Sequence, residues 1–364
     1  MTTDTQIMQR FEENGLHYTH LPLQDGAFLL VGERGGRVFG PFLQPGLDSI
    51  YWVNPVFNRP GNYAQALQDG FWNQGGERVW VAPEIQYSAH DRRDFWGTNR
   101  LPPQLDPGQY HLSQFSGGSI SLENVFALSA YNTASGEKSL RLMIHLHPVE
   151  NPLRFLPDAT HLMSGLAYAG YQETITLEET NTTPIQSESW NLVQLNPGGV
   201  LLIPASPKVV YHDYFEPVDA EHQQVYADHI RLRITGLRRY KTGYAAAHLT
   251  GRSAYYNNFP DGLAYLLIRS FFNNPSAPYI EEPPHLPGVT GDSLHVYNDG
   301  GGFGGFGELE VNGQAIGGAT GRSASTDQFI LWLFVGEPAR LREIALHLLG
   351  IQDDFTQSLP AAGA

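Results

Sequence analysis

Two glutamates near the C-terminal end, Glu308 and Glu310, have the spacing in this chain that most directly suggests chemistry. In an extended strand, side chains two apart share a face and stand about 6.6 Å apart, at roughly 3.3 Å of rise per residue. Leu309 and Val311 then face the other way. If those two enter a core, the carboxylates look out of the sheet, either into a cleft or into bulk water. A carboxylate pair in a cleft can move protons or hold hydroxyl groups, whereas a pair in water is an ordinary solvated strand face. Just upstream, Leu294 to Tyr297 reads as a strand, followed by six glycines among residues 300 to 307. Such a loop adopts positive φ at no steric cost and lets a backbone approach a ligand closely. Glu308 and Glu310 are therefore the candidate catalytic residues, one of them a base whose pKa is raised by burial or by its carboxylate neighbour.

Groups that could share a cleft with them are scattered along the chain. Asn73 to Glu84 reads as a Gly-Gly turn feeding a short strand that stops at Pro83, with Arg78 and Trp80 on one face and Glu77 and Val79 on the other. A guanidinium beside an indole can clamp a hydroxylated or anionic ligand; Arg78 can equally pair with a carboxylate such as Glu84. Lys241 lies in a tyrosine-rich stretch and His212 in an aromatic loop, and Trp190 opens a strand. Tyr51, Trp52, Phe71 and Trp72 either stack on a ligand or fill the core. His145 and His147 share one strand face and could ligate a metal if further ligands arrived. The sequence identifies no such ligands, so neither a metal nor another cofactor is expected.

These residues must be positioned by short strands. The chain has 364 residues with 39 glycines and 25 prolines, a punctuation too dense for long helices. Phe28 to Phe42 reads as a hairpin turning at Gly35 and Gly36. Thr174 to Glu178, Trp190 to Leu195 and Gly199 to Ile203 read as three antiparallel strands forming a meander, and the polar, proline-rich stretch 88 to 110 as a loop of the kind that covers a site. Leu263 to Phe272 reads as a buried strand, and the chain closes on a strand after Phe329 and an amphipathic helix stopping at Gly350. About twenty short runs predict an all-β fold, a large antiparallel sandwich occupying residues 1–364 as one domain with a short C-terminal helix.

Composition narrows the partners. Lys plus Arg is 22 and Asp plus Glu is 37, so the net charge is 22 − 37 = −15. An acidic chain repels phosphate backbones, and nucleic acid is not expected to bind. Cysteine is absent, which excludes disulfides and thiol chemistry. No basic segment followed by an apolar run opens the chain and no apolar stretch approaches 18 residues, so a cytoplasmic protein with no membrane partner is expected. Oligomeric state is not legible.

The order of features resembles the galactose mutarotase-like superfamily, the aldose 1-epimerases with their oversized antiparallel sandwich. The features are the early Gly75-Gly76 turn, the strand ending in Thr180-Asn181, WNLVQL with its downstream PGG turn, and FGELEV near the C-terminus. The resemblance implies that Glu308 or Glu310 takes the proton from a sugar's anomeric hydroxyl. It also implies two histidines, and this chain departs there: Gln74 precedes the Gly-Gly turn, and Ser187, Glu188 and Ser189 precede the WNL step. The expectation is a carbohydrate-active protein, an epimerase or eliminating lyase working by proton transfer on a small-molecule sugar. Arg78, Trp80, Gln74, Trp190, Lys241, His147 and His212 would be the substrate-binding residues. The alternatives are a sugar-binding module without chemistry and a glycoside hydrolase using the carboxylate pair.

Overall fold

The computed structural model describes residues 2–356. Nineteen strands form two antiparallel sheets, one of nine strands and one of ten. The nine-stranded sheet has at its centre the strands Glu77–Ala82, Glu188–Leu195, Gly307–Asn312, Asp292–Asn298 and Tyr240–Ala245, hydrogen-bonded in that order. The ten-stranded sheet is built around Ala324–Gly336, Ala167–Glu179 and Gly136–Pro148. The large antiparallel sandwich expected from the turn density is present.

Alternation sets what each sheet offers to the interior. Val79, Val193, Leu309 and Val311 point inward from the nine-stranded sheet, and Ile144, Leu177, Leu267 and Leu333 meet them from the other, all buried in one continuous core. Register places Leu309 opposite Val193, and Val193 opposite Glu77. The intervening residues Arg78, Leu192, Glu308 and Glu310 therefore stand on the outer face. On the outside of the ten-stranded sheet, Leu202, Ile268, Trp332 and Phe334 are capped by the helix Pro338–Leu349 through Leu341, Ile344 and Leu348. That helix ends at Gly350 in the left-handed conformation, as its sequence predicts. A helix not foreseen, Asp4–Glu13, is opened by a Thr3–Gln6 capping box and packs Ile7 and Phe11 on the edge of the nine-stranded sheet.

The hairpin Phe28–Gly32 with Arg37–Phe42 forms as expected. The meander does not. Ala167–Glu179 belongs to the ten-stranded sheet, Glu188–Leu195 to the nine-stranded one and Val200–Pro204 to the ten-stranded one again, so each turn carries the chain from one sheet to the other. The physical reason lies in burial. Thr174 to Glu179 alternates between core and a half-exposed face, whereas every residue of Glu188–Leu195 is buried because both faces of that strand are covered. The Asn196-Pro197-Gly198-Gly199 turn is a corner between sheets. Tyr255 donates its hydroxyl hydrogen bond to the Asn196 carbonyl, and Asn196 Nδ2 reaches the Ile50 carbonyl at 2.9 Å.

Candidate functional site

The outer face of the nine-stranded sheet carries the cavity. Arg78 and Trp80 come from Glu77–Ala82, Trp190 from Glu188–Leu195, Lys241 from Tyr240–Ala245, and Glu308 and Glu310 from Gly307–Asn312. These six line one hollow of about 470 Å³, within the size range of small-molecule sites. Its walls are completed by loops. The stretch 84–101 contributes Glu84, Trp96 and Asn99, and Trp72, Phe215, Phe303 and Phe306 close the rest.

Two of these strands are entered through glycine turns that pack closely on the protein. The Gly75-Gly76 turn ahead of Arg78 has φ near +96° and +78°, and a Cβ on Gly76 would lie 2.4 Å from the Val38 carbonyl oxygen, so only glycine lets the turn nest there. The glycine loop before Glu308 also needs close approach, but to protein. A Cβ on Gly304 would meet the Trp52 ring at 2.7 Å, and the Asp299 carboxylate accepts the N–H groups of Phe303 and Gly305 at 3.0 and 2.9 Å. The loop thereby presents Phe303 and Phe306 to the cavity.

The charges form two linked pairs. Arg78 Nη2 lies 2.7 Å from Glu308 Oε1, and the guanidinium sits 4.0 Å over the Trp80 ring, leaving Arg78 Nε and Nη1 without a partner. Lys241 Nζ lies 3.1 Å from Glu310 Oε2 and 3.3 Å from Glu84 Oε2, and 4.4 Å over the Trp190 ring. The Trp190 indole donates to the same Glu310 oxygen at 2.9 Å, while Trp80 is oriented by donating to Asp106 at 3.2 Å. Burial pushes Glu310 up to about 7; the Lys241 ammonium works against this, and the Glu308 and Glu84 carboxylates with it. Burial would lower the Lys241 pKa, but Glu310, Glu84 and Glu281 outweigh it and hold the ammonium above its ordinary value. Three carboxylates thus answer two buried cations, and Glu310 is placed where a carboxylate can both take and return a proton near neutrality.

Three residues expected in the site lie elsewhere. Gln74 is sealed beneath the sheet edge, its Oε1 accepting from the Tyr63 hydroxyl at 2.6 Å. His147 is on the ten-stranded sheet, because the strand carrying it joins that sheet, and its nearest imidazole is His145 with ring centroids 5.7 Å apart. His212 contacts Asp292 at 3.0 Å on the edge strand Tyr211–Asp213, outside the cavity lining. The Arg78 partner is Glu308, not Glu84, which serves Lys241 instead. Trp96, Phe215 and Phe303 were missed as individuals, although 88 to 110 reads as a covering loop. His295, directly opposite Glu310 in register, is sealed against the Tyr214 hydroxyl at 3.0 Å, and burial holds its pKa well below the ordinary value. Among the described residues no histidine lines the cavity, and no helix is long and apolar enough to cross a membrane.

The architecture and site together define an antiparallel two-sheet sandwich with an acidic, aromatic-walled cavity on one outer face. Residues 26–358 match the model of a family described as a family of unknown function, DUF6786, and the chain belongs to that family. No curated protein matches it. Solved structures similar to it include a candidate aldose 1-epimerase from Escherichia coli K12, at 14% identity over 87% of this chain and 99% of that one, with a TM-score of 0.42. A galactose mutarotase-like protein from Lactobacillus casei ATCC 334 matches at 12% identity over 88% and 99%, with a TM-score of 0.38. A candidate aldose 1-epimerase from Klebsiella pneumoniae subsp. pneumoniae MGH 78578 matches at 10% identity over 91% and 83%, with a TM-score of 0.44.

Proposed function

We propose that this chain is a carbohydrate-active protein, a divergent relative of the mutarotase-like proteins, whose cavity takes a neutral sugar and whose Glu310 withdraws a proton from one of its hydroxyl groups. The observation that carries this reading is convergence: six side chains from four strands, spread along the chain from Arg78 to Glu310, enter one hollow. The aromatic rings still open on its walls, Trp96 and Phe303 among them, suit the apolar faces of a pyranose. The carboxylates at the cavity floor suit the sugar's hydroxyls.

Charge favours a neutral ligand. Both buried cations already face carboxylates, so a uronate or sugar phosphate would bring negative charge to a floor with no unanswered positive charge; the exposed Arg100, which also lines the hollow, bonds the Asn99 carbonyl. This weighs against the eliminating lyase, which works on acidic sugars. Glycoside hydrolysis fits poorly as well, because Glu308 and Glu310 rise from one strand instead of flanking a bond.

On an anomeric hydroxyl the step balances as follows. Glu310 accepts the hydroxyl proton, the O–H electron pair becomes the second bond of the C1 carbonyl, and the bond from C1 to the ring oxygen breaks. The electron pair of that bond stays on the ring oxygen, which takes a proton from a water admitted with the sugar, since no imidazole is at hand. The water regains a proton from the Glu310 carboxyl, and after rotation about the C1–C2 bond the reverse steps close the ring on the other anomer. Lys241 acts by charge and does not donate, because its pKa is raised. With one positioned catalyst in place of two, the acceleration is expected to fall about 10²- to 10⁴-fold short of a site with both. A second reading, a sugar-binding module without turnover, is favoured by that same missing imidazole.

Calorimetry against neutral aldoses, followed by NMR exchange spectroscopy of the anomers, separates the two. Enzyme action predicts binding and faster anomer exchange that Glu310→Gln removes while binding and folding persist. Binding with unaccelerated exchange in the unsubstituted protein leaves the module, and no binding of any aldose removes both.

A further inference from the structure

We propose that the ligand is longer than one sugar ring, and that Trp96 and Phe303 at the rim of the cavity form an outer subsite for a second, neutral pyranose unit. This rests on the reading of the cavity as a sugar site and extends it to a substrate class, the neutral oligosaccharides and glycosides.

Both rings line the cavity, yet each leaves 46% of its surface exposed, although large aromatics are ordinarily covered. They arise from unrelated loops, and each is braced. Trp96 sits on the short helix Phe95–Thr98, whose Asp94 cap accepts the Gly97 N–H at 3.2 Å. Its ring lies 4.7 Å from that of Phe215 and under the Arg239 guanidinium at 4.0 Å. Phe303 is held by its N–H to Asp299, by its carbonyl, which accepts from Asn73 Nδ2 at 2.9 Å, and by the Trp72 ring 5.8 Å away.

An aromatic ring fixed on both backbone and side chain, and still half open to water, loses no further freedom when a flat ligand settles on it. The inner walls at Trp80 and Trp190 are by contrast almost wholly covered. The site is therefore graded, with a sealed charged floor for the reacting ring and a wet aromatic rim for whatever follows it. The cation stacked on Trp96, Arg239, already has Glu216 at 3.3 Å and so does not call for an acidic outer unit.

The test compares glucose with maltose and cellobiose, and galactose with its β-1,4-linked disaccharide, by calorimetry on the full chain. A disaccharide is expected to bind about three- to tenfold more tightly than the monosaccharide at its reducing end, the worth of one aromatic stacking contact. Trp96→Ala or Phe303→Ala should erase that gain, lowering disaccharide affinity by a larger factor than monosaccharide affinity, and Trp96→Phe should restore part of it. Equal affinity for one ring and two, or variants that lose both ligands alike, would overturn the subsite and leave the cavity reading standing. Failure of every sugar to bind would overturn the cavity reading as well.

Discussion

Glu77 and Arg78 are neighbours on one strand, and they belong to two buried charge clusters on opposite faces of the same sheet. Arg78 faces the cavity. Glu77 faces the interior, where it accepts from the Tyr171 hydroxyl, from Asn191 Nδ2 at 3.1 Å and from Arg269 Nη1 at 3.2 Å. Asn191 also binds Glu173, and Tyr51 binds Tyr171, all within the sandwich. Burial, then the charge of Glu77, pushes Glu173 well above the carboxylate range. Both clusters thus hold paired carboxylates, too few cations and a raised pKa, and those features alone do not single out a site. What differs is access: neither Glu77 nor Glu173 lines the cavity, whereas Glu308 and Glu310 do. The inner cluster joins side chains of the nine-stranded sheet, Glu77 and Asn191, to Arg269, Glu173 and Tyr171 of the ten-stranded sheet, and so acts to hold the two layers in register.

Removing the cation from each cluster sharpens this contrast. Arg269→Met should have the largest effect, about 3–5 kcal/mol of destabilisation in denaturant titration, because two carboxylates are left facing each other where no water can reach them. Sugar affinity per folded molecule should not change. A loss below 1 kcal/mol would mean that the interior cluster is not the structural one. Lys241→Met leaves Glu310 and Glu84 beside a cavity that water can fill, so the expected loss is smaller, about 1–3 kcal/mol.

The second variant has a further readout in pH. Glu310 must be ionised to act as a base, so anomer exchange should rise with pH through about 7 in the unsubstituted protein. Lys241 lowers that pKa, so its removal should move the midpoint upward. The sign for stability is opposite. A folded pKa raised above the unfolded 4.5 means that the folded state binds the proton more tightly, so this contribution is present below pH 4.5 and lost as pH rises through about 7. A midpoint that stays put in Lys241→Met would show that the pair is not coupled.

The period of the Glu308–Val311 strand, read from sequence, put Leu309 and Val311 on one face and the glutamates on the other, because a strand has only two faces, and the structure turns the first pair into the core. Whether outward meant cleft or water was not legible, since Phe215, Trp96 and Trp72 decide it from loops far away in the chain. The contiguous burial of Glu188–Leu195 was not legible, because Glu188, Ser189, Asn191 and Gln194 interrupt its apolar residues; the flanking turns looked like hairpins, and turn chemistry does not distinguish a hairpin from a corner between sheets. Gln74 and His212 were placed near the site by order along the chain alone. Order does not encode which edge of a nine-stranded sheet a residue occupies.

The smallest effect is expected farthest from both clusters. His145 and His147 share a face of the ten-stranded sheet, as alternation predicts, but both are only half-buried, and among the described residues the one group able to bring three ligand atoms together is Asp219, Glu221 and His222 elsewhere. Burial, then the neighbouring imidazole, lowers the His147 pKa, so the folded state favours the neutral ring and the contribution is lost as pH falls below 6.5. His147→Ala should therefore change stability at pH 7.5 by no more than about 0.5 kcal/mol, the range of ordinary surface substitutions. The difference from the unsubstituted protein should shift in favour of the variant at pH 5.5. Equimolar zinc should leave the melting temperature of both unchanged, whereas a zinc-dependent rise seen only with His147 present would reveal a third charged locus outside the two-cluster scheme.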